Sequence, residues 1–184
     1  MKTIRIPSSI HEILGEESTL VEILLIFTVS IGASLAIFSI TRPEWLTLAG
    51  WKTAILFLLI LDILAGFIAN LTLSTNNFYR DRAKVRLVFI ALHVQPVVFS
   101  LLFGSHFLIC FMVWIFTITS ALIVNALQKY PAQKTVAGAF IAIGIVGLLL
   151  SSVGVPLLLL ISLVLYQFKV IYSFAVDQYA PREM

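Results

Sequence analysis

The sequence predicts an all-α integral membrane protein, a bundle of about six transmembrane helices joined by short loops. Three observations predict it. Of the 184 residues, 60% are hydrophobic and 11% charged, against about 45–50% and about 25% in soluble domains, and the mean hydropathy is +1.07. The apolar residues come in several runs of about 20, near the length needed to cross a hydrocarbon core of roughly 30 Å. These runs are continuously apolar, whereas a barrel strand alternates. Helices and closed barrels are the only ways to satisfy the backbone in lipid, so the runs read as helices.

The opening MKTIRIPSSIHEILGEESTL lacks a short apolar core followed by a small-residue cleavage site, so no removable signal peptide is expected there. Residues 1–19 read as an N-terminal segment. Within it, Ser8 to Ser18 suggest a short interfacial helix, with Ser8 or Ser9 as cap and Ile10, Ile13 and Leu14 on one side, or else a partly ordered tail. Residues 20–176 hold the six spans: Leu20 to Ile40, Thr53 to Ser74, Arg86 to Gly104, His106 to Leu127, Thr135 to Ser151 and Val155 to Val176. Tight hairpins are expected at Gly104-Ser105 and at Ser152 to Gly154, where Pro156 suits the first turn of the last helix. Residues 177–184 form a tail.

Charge gives the orientation. Six spans put both termini on one face, together with the loop TNNFYRDRAKVR, which holds Arg80, Arg82, Lys84 and Arg86, and the loop holding Lys129 and Lys134. With Lys2, Arg5, Lys169 and Arg182, that face collects ten of the twelve Lys and Arg, leaving Arg42 and Lys52 opposite. The positive-inside rule then makes it the cytoplasmic face of a cell membrane. This topology also accounts for the basic pI near 9.2, so nucleic acid is not an expected partner. The expected partners are the lipid bilayer and a proton, ion or small molecule.

An ionisable side chain inside a span costs roughly 2.5–3.5 kcal/mol on insertion scales and needs a reason to be there. Asp62 lies within the second run, and Gly66, Asn70 and Ser74 follow at four-residue steps, a small and polar stripe on one helix face. The last run carries Ser162, Tyr166, Lys169, Ser173 and Asp177 at helical spacing. Lys169 sits about 10 Å inside the boundary, within reach of the headgroups by snorkelling. His93 lies at a similar depth and precedes Pro96, which removes a backbone hydrogen bond and can kink the third span. Asn70, His93 and Lys169 therefore read as one polar layer, with Gln95, Asn125 and Gln167 nearby, lining an approach that ends deeper at Asp62. A direct contact between Asp62 and His93, about 9 Å apart in depth, would need a bridging water or a helix offset. The alternative reading of each residue is structural: a satisfied polar group that fixes helix register.

Other patterns point away from chemistry. His106 and Cys110 are one turn apart, but nothing near them supplies an orienting group or an oxyanion site, so Cys110 reads as a structural thiol. His11, His93 and His106 fall at three different depths, which argues against a metal site. There is no HExxH, paired CxxC, phosphate-cradling Gly loop or nucleophile elbow, and no cofactor is expected. Gly138, Ala142, Gly144 and Gly147 on the fifth span let backbones approach, within the chain or in an oligomer. Trp45, Trp51, Tyr79, Tyr130 and Tyr172 fall near span boundaries, as interfacial anchors do. The sequence thus leaves three classes open: a small transporter or permeation protein using Asp62, a membrane enzyme acting on a lipid or apolar substrate, and an accessory or assembly protein.

Overall fold

The computed structural model describes residues 3–180, so Lys2 and Arg182 of the charge count lie outside the described residues. Among the described residues, six helices are long and apolar enough to cross a membrane, and they form an all-α bundle. The first span is α2 (Leu20–Ile40), and a short α3 (Arg42–Trp45) turns the chain towards the second span, α4 (Gly50–Ala69). The fourth span is α8 (Phe107–Ala126), the fifth α9 (Gln133–Leu150), and the sixth is α10 (Leu157–Gln167) continued by a π-helical segment, Phe168–Phe174.

The third span is broken. Where one kinked helix from Arg86 to Gly104 is expected, the chain forms α6 (Ala83–Ala91) and α7 (Gln95–Phe103), parted at Leu92–Val94. Pro96 has no N–H to give the Leu92 carbonyl, which instead accepts from Val94 N at 2.8 Å. The second span also differs from expectation: it stops at Ala69, and Thr72 caps a separate helix α5 (Leu73–Arg80) by accepting from Thr75 N.

The N-terminal segment is more ordered than a surface helix or a frayed tail. A 3-10 turn at Ser8–Ile10 leads into α1 (His11–Leu14), and helical structure ends there. Strand β1 (Thr3–Arg5) then pairs antiparallel with β2 (Glu17–Thr19), setting Ile4 opposite Ser18. Gly15, at φ +71°, lies so close to Ser74 on α5 that any Cβ would strike it. Tyr79 ties the same cap down from below by donating its hydroxyl to the Glu12 carbonyl at 3.0 Å. The strand passes into α2 through a capping box, in which Thr19 accepts from Glu22 N and the Glu22 carboxylate accepts from Thr19 N.

The bundle is built round its last span. Within the most hydrophobic window, 61% of the sixth span is buried, against 22% of the first. The α10–π helix packs on α4, α7, α8 and α9. Its polar stripe is buried throughout, and so are Leu158, Leu159, Leu163, Val170 and Ile171 on its other sides. A helix buried on nearly every side, its polar stripe included, is the pattern of a central element. Its N-terminus is held by Glu44 of α3, whose carboxylate accepts from Leu157 N at 2.9 Å and Leu158 N at 2.8 Å.

The segment after the π turn is part of the fold as far as it is described. Asp177, expected in a tail, is buried. Arg80 donates to both its oxygens at 2.7 Å, and Asn76 adds a third bond at 2.8 Å. Arg86, counted by sequence among loop charges, is also buried, and donates to the Phe174 and Ala175 carbonyls at 2.9 and 2.8 Å. Gln128, in the amide orientation that satisfies both ends, accepts from its other nitrogens at 3.1 Å. Burial opposes ionisation of Asp177, but the hydrogen bonds from Arg80 and Asn76 and the charge of Arg80 outweigh it, holding the carboxyl below its ordinary value. A depressed carboxyl stabilises the fold above the unfolded-chain value of about 3.9 and loses that contribution as pH falls through the folded value. Asp177→Asn is expected to lower stability by about 2 kcal/mol at neutral pH. Thermal unfolding in detergent should then fall with acidification below about pH 4 more steeply in the original chain than in the variant; equal slopes would remove Asp177 from the account.

Candidate functional site

The polar stripe on α4 becomes the floor of a groove. Asp62, Gly66 and Asn70 follow one another at one-turn intervals, and Asp62 lies seven residues before the end of α4, about 10 Å in from it. Lys169 enters from the π segment, with its stem across Gly66. A Cβ on Gly66 would lie 2.5 Å from Lys169 Cε, so any larger residue there would make the lysine stem shift from this path. The ammonium ends 2.7 Å from Asp62 Oδ2. The snorkelling expected of Lys169 is thus overturned: its side chain is 2% exposed and turns inward to a carboxylate. A buried ammonium needs such a partner, because the cost of leaving it alone in a low-dielectric interior is several kcal/mol.

The pair is asymmetric. The Asp62 side chain is 57% exposed while Lys169 is sealed. The exposed edge faces a groove of about 410 Å³, with Ile26 and Phe27 of α2 on one flank, Phe89 of α6 on the other, and Glu12 and Ile13 of the N-terminal cap at one end. Phe27, Ile31 and Leu58 in its walls are themselves about half exposed on the bundle's outer surface, so the groove opens sideways between helices.

The break in the third span supplies the remaining partner. By starting a new helix at Gln95, it lets Gln95 Nε2 donate to Asp62 Oδ2 at 3.2 Å. The His93 carbonyl, left outside both helices, accepts the Tyr166 hydroxyl at 2.7 Å. The expected polar layer is therefore only partly assembled. Asn70 lines the groove, and its Nδ2 has no hydrogen-bond partner among the described residues. His93 is buried beside Phe89 and Phe174, with Nδ1 2.5 Å from the Phe89 carbonyl. That contact requires the proton on Nδ1 and makes the ring a bracing group behind the groove wall. Gln167 turns towards α9, where Gly144 leaves room for its amide oxygen.

Sequence reasoning named Asp62 and Lys169 without pairing them. The available signal was the pair of helically spaced polar stripes, one towards the end of the second span and one on the sixth, which run in the same direction. The Arg80–Asp177–Asn76 cluster was missed because Asn76 and Arg80 read as loop residues, with nothing in their spacing to bring them to the end of the last span's stripe. Fold and site together define a multi-pass membrane protein with an ion pair set in a lateral groove. Comparison with protein-family models, curated proteins and solved structures finds no match for this chain.

The pair sets a quantitative expectation. Asp62→Asn strands the Lys169 ammonium and should cost about 3–5 kcal/mol, while Lys169→Met leaves a carboxylate that still reaches the groove mouth and should cost less. The double variant should recover most of the Asp62→Asn loss, with a coupling of about 1–3 kcal/mol in thermal or chemical unfolding. Simple additivity would mean that the two side chains do not depend on each other.

Proposed function

We propose that this chain is a small transporter or permeation protein of the cell membrane, and that its solute reaches Asp62 through the groove. The observation that carries this is the asymmetry of the ion pair: the carboxylate is open to an incoming ligand, while its counter-charge is buried and fixed. A pair serving structure alone gains nothing from leaving its carboxylate at the mouth of a cavity. Ionisable groups at this depth mark pathways of ions and polar solutes, and a volume of about 410 Å³ falls within the roughly 300–1,000 Å³ of small-molecule sites.

Orientation follows from charge. Arg80, Arg82, Lys84, Lys129 and Lys134 lie at the end of the bundle that carries the N-terminal cap, and Arg42 and Lys52 lie at the other. The positive-inside rule makes the cap end cytoplasmic, so the groove opens to the cytoplasmic half of the bilayer.

The test is transport by the purified chain in proteoliposomes, following proton and ion flux under imposed gradients and the transbilayer movement of a fluorescent single-chain lipid. The double variant with Asp62→Asn and Lys169→Met keeps a neutral, foldable interior and should abolish the flux seen with the original chain. Flux that survives in the double variant, or an original chain no faster than empty liposomes for every solute, would sink the transport reading.

A further inference from the structure

The groove selects among solutes by its chemistry, and we propose that it binds a single-chain amphiphile with an uncharged, hydroxyl-bearing head, admitted sideways from the bilayer. This rests on the reading of the groove as the solute site. The polar wall contributes complementary halves. Asp62, when ionised, only accepts hydrogen bonds, while the Lys169 ammonium and the Asn70 amide nitrogen donate. Asn70 is 5% exposed, and its nitrogen has no partner among the described residues; a buried donor in that condition is destabilising until something accepts from it. A hydroxyl does both jobs at once, giving its proton to Asp62 and accepting from Asn70 or Lys169.

Charge and size narrow the class further. Asp62 and Lys169 already cancel, and Glu12, the other ionisable group of the lining, lies at the cap end, so a ligand bringing net charge to the depth of the pair would carry most of the cost of its own desolvation. Apart from the pair, Asn70, Ser30 and, at the cap end, Glu12, the lining is apolar, with Phe27, Ile31, Leu58 and Leu61 along the open side, which suits a hydrocarbon chain. At roughly 30 Å³ per water-sized group, the groove holds on the order of 14 non-hydrogen atoms. That is room for a small head and the first part of one chain, the remainder lying in the bilayer, and too little for the head and both chains of a phospholipid.

The experiment is photolabelling of the full chain in nanodiscs with diazirine-bearing ten-carbon probes that differ only in their heads: a glycerol monoester, a carboxylate and a trimethylammonium. Sites are read by peptide mass spectrometry. The glycerol ester is expected to label Phe27, Ile31, Leu58 or Leu61 at least fivefold more than either charged probe. Asn70→Leu should reduce that labelling about threefold or more, and so should the Asp62→Asn, Lys169→Met double variant. Leu58→Trp, which fills the open side and leaves the polar wall intact, should abolish it and guards against variants that merely misfold. Equal labelling by all three heads, or labelling indifferent to Asn70→Leu and Leu58→Trp, would show annular contact only and overturn the proposal. Selective labelling without transport removes the transport reading and leaves the site, whereas flux with an unlabelled groove does the reverse.

Discussion

An ammonium group cannot be left by itself among hydrocarbon, and the placement of Lys169 on the most enclosed helix of the bundle makes that rule the organising constraint of this fold. The lysine crosses α4 to reach a carboxylate, over the space that glycine leaves at position 66. The carboxylate has to sit one turn further along the same face, where Asp62 is found. The helix carrying Gln95 has to begin where it does for the amide to reach that carboxylate, and the interruption at Leu92–Val94 provides this. The exposed carbonyl that the interruption creates is then covered by Tyr166, one turn before Lys169 on the central helix. One desolvated charge thus links the second, third and sixth spans.

A second polar system closes the end of the bundle where the chain begins. Arg86 would be as costly as Lys169 if unpartnered, yet it is satisfied by the last carbonyls of the π segment and by Gln128 rather than by a carboxylate. The carboxylate of that region, Asp177, is taken by Arg80 and Asn76. The chain beyond the sixth span is therefore bound from α5, α6 and α9, with Gln133 of α9 accepting from Asp177 N. On the opposite face, Glu44 gathers the free N–H groups of α10. The central helix is fastened at both ends and paired in the middle.

Much of this was legible in the amino-acid order. Hydrocarbon thickness sets run length, so the six spans follow directly, and four-residue spacing picks out Asp62, Gly66, Asn70 and Lys169 as inward groups. What could not be read was which stripe meets which. Depth estimated from rise per residue ignores the lateral offset of one helix against another, and a long flexible lysine can end several ångströms from its Cα in either direction. The break in the third span was signalled by Pro96, but not its consequence for Gln95. The N-terminal hairpin escaped because its strands are three residues each, too short for any periodicity, and its order comes from contacts with α5 that are remote in sequence.

The π turn at Phe168–Phe174 carries a consequence for how this chain tolerates change in length. Its i→i−5 bonding, as between Ala175 N and the Val170 carbonyl at 3.1 Å, accommodates a residue more per turn than an α-helix would. Loss of one residue from this stretch would leave a perfectly good helix, with no gap and no unpaired backbone. It would nevertheless turn everything beyond by about a quarter of a revolution, carrying Asp177 away from Arg80 while Tyr166 stayed in place. The segment acts as a phase adjuster between two polar anchors on one helix, and length variation there would be silent in secondary structure while ruinous to the closure of the bundle.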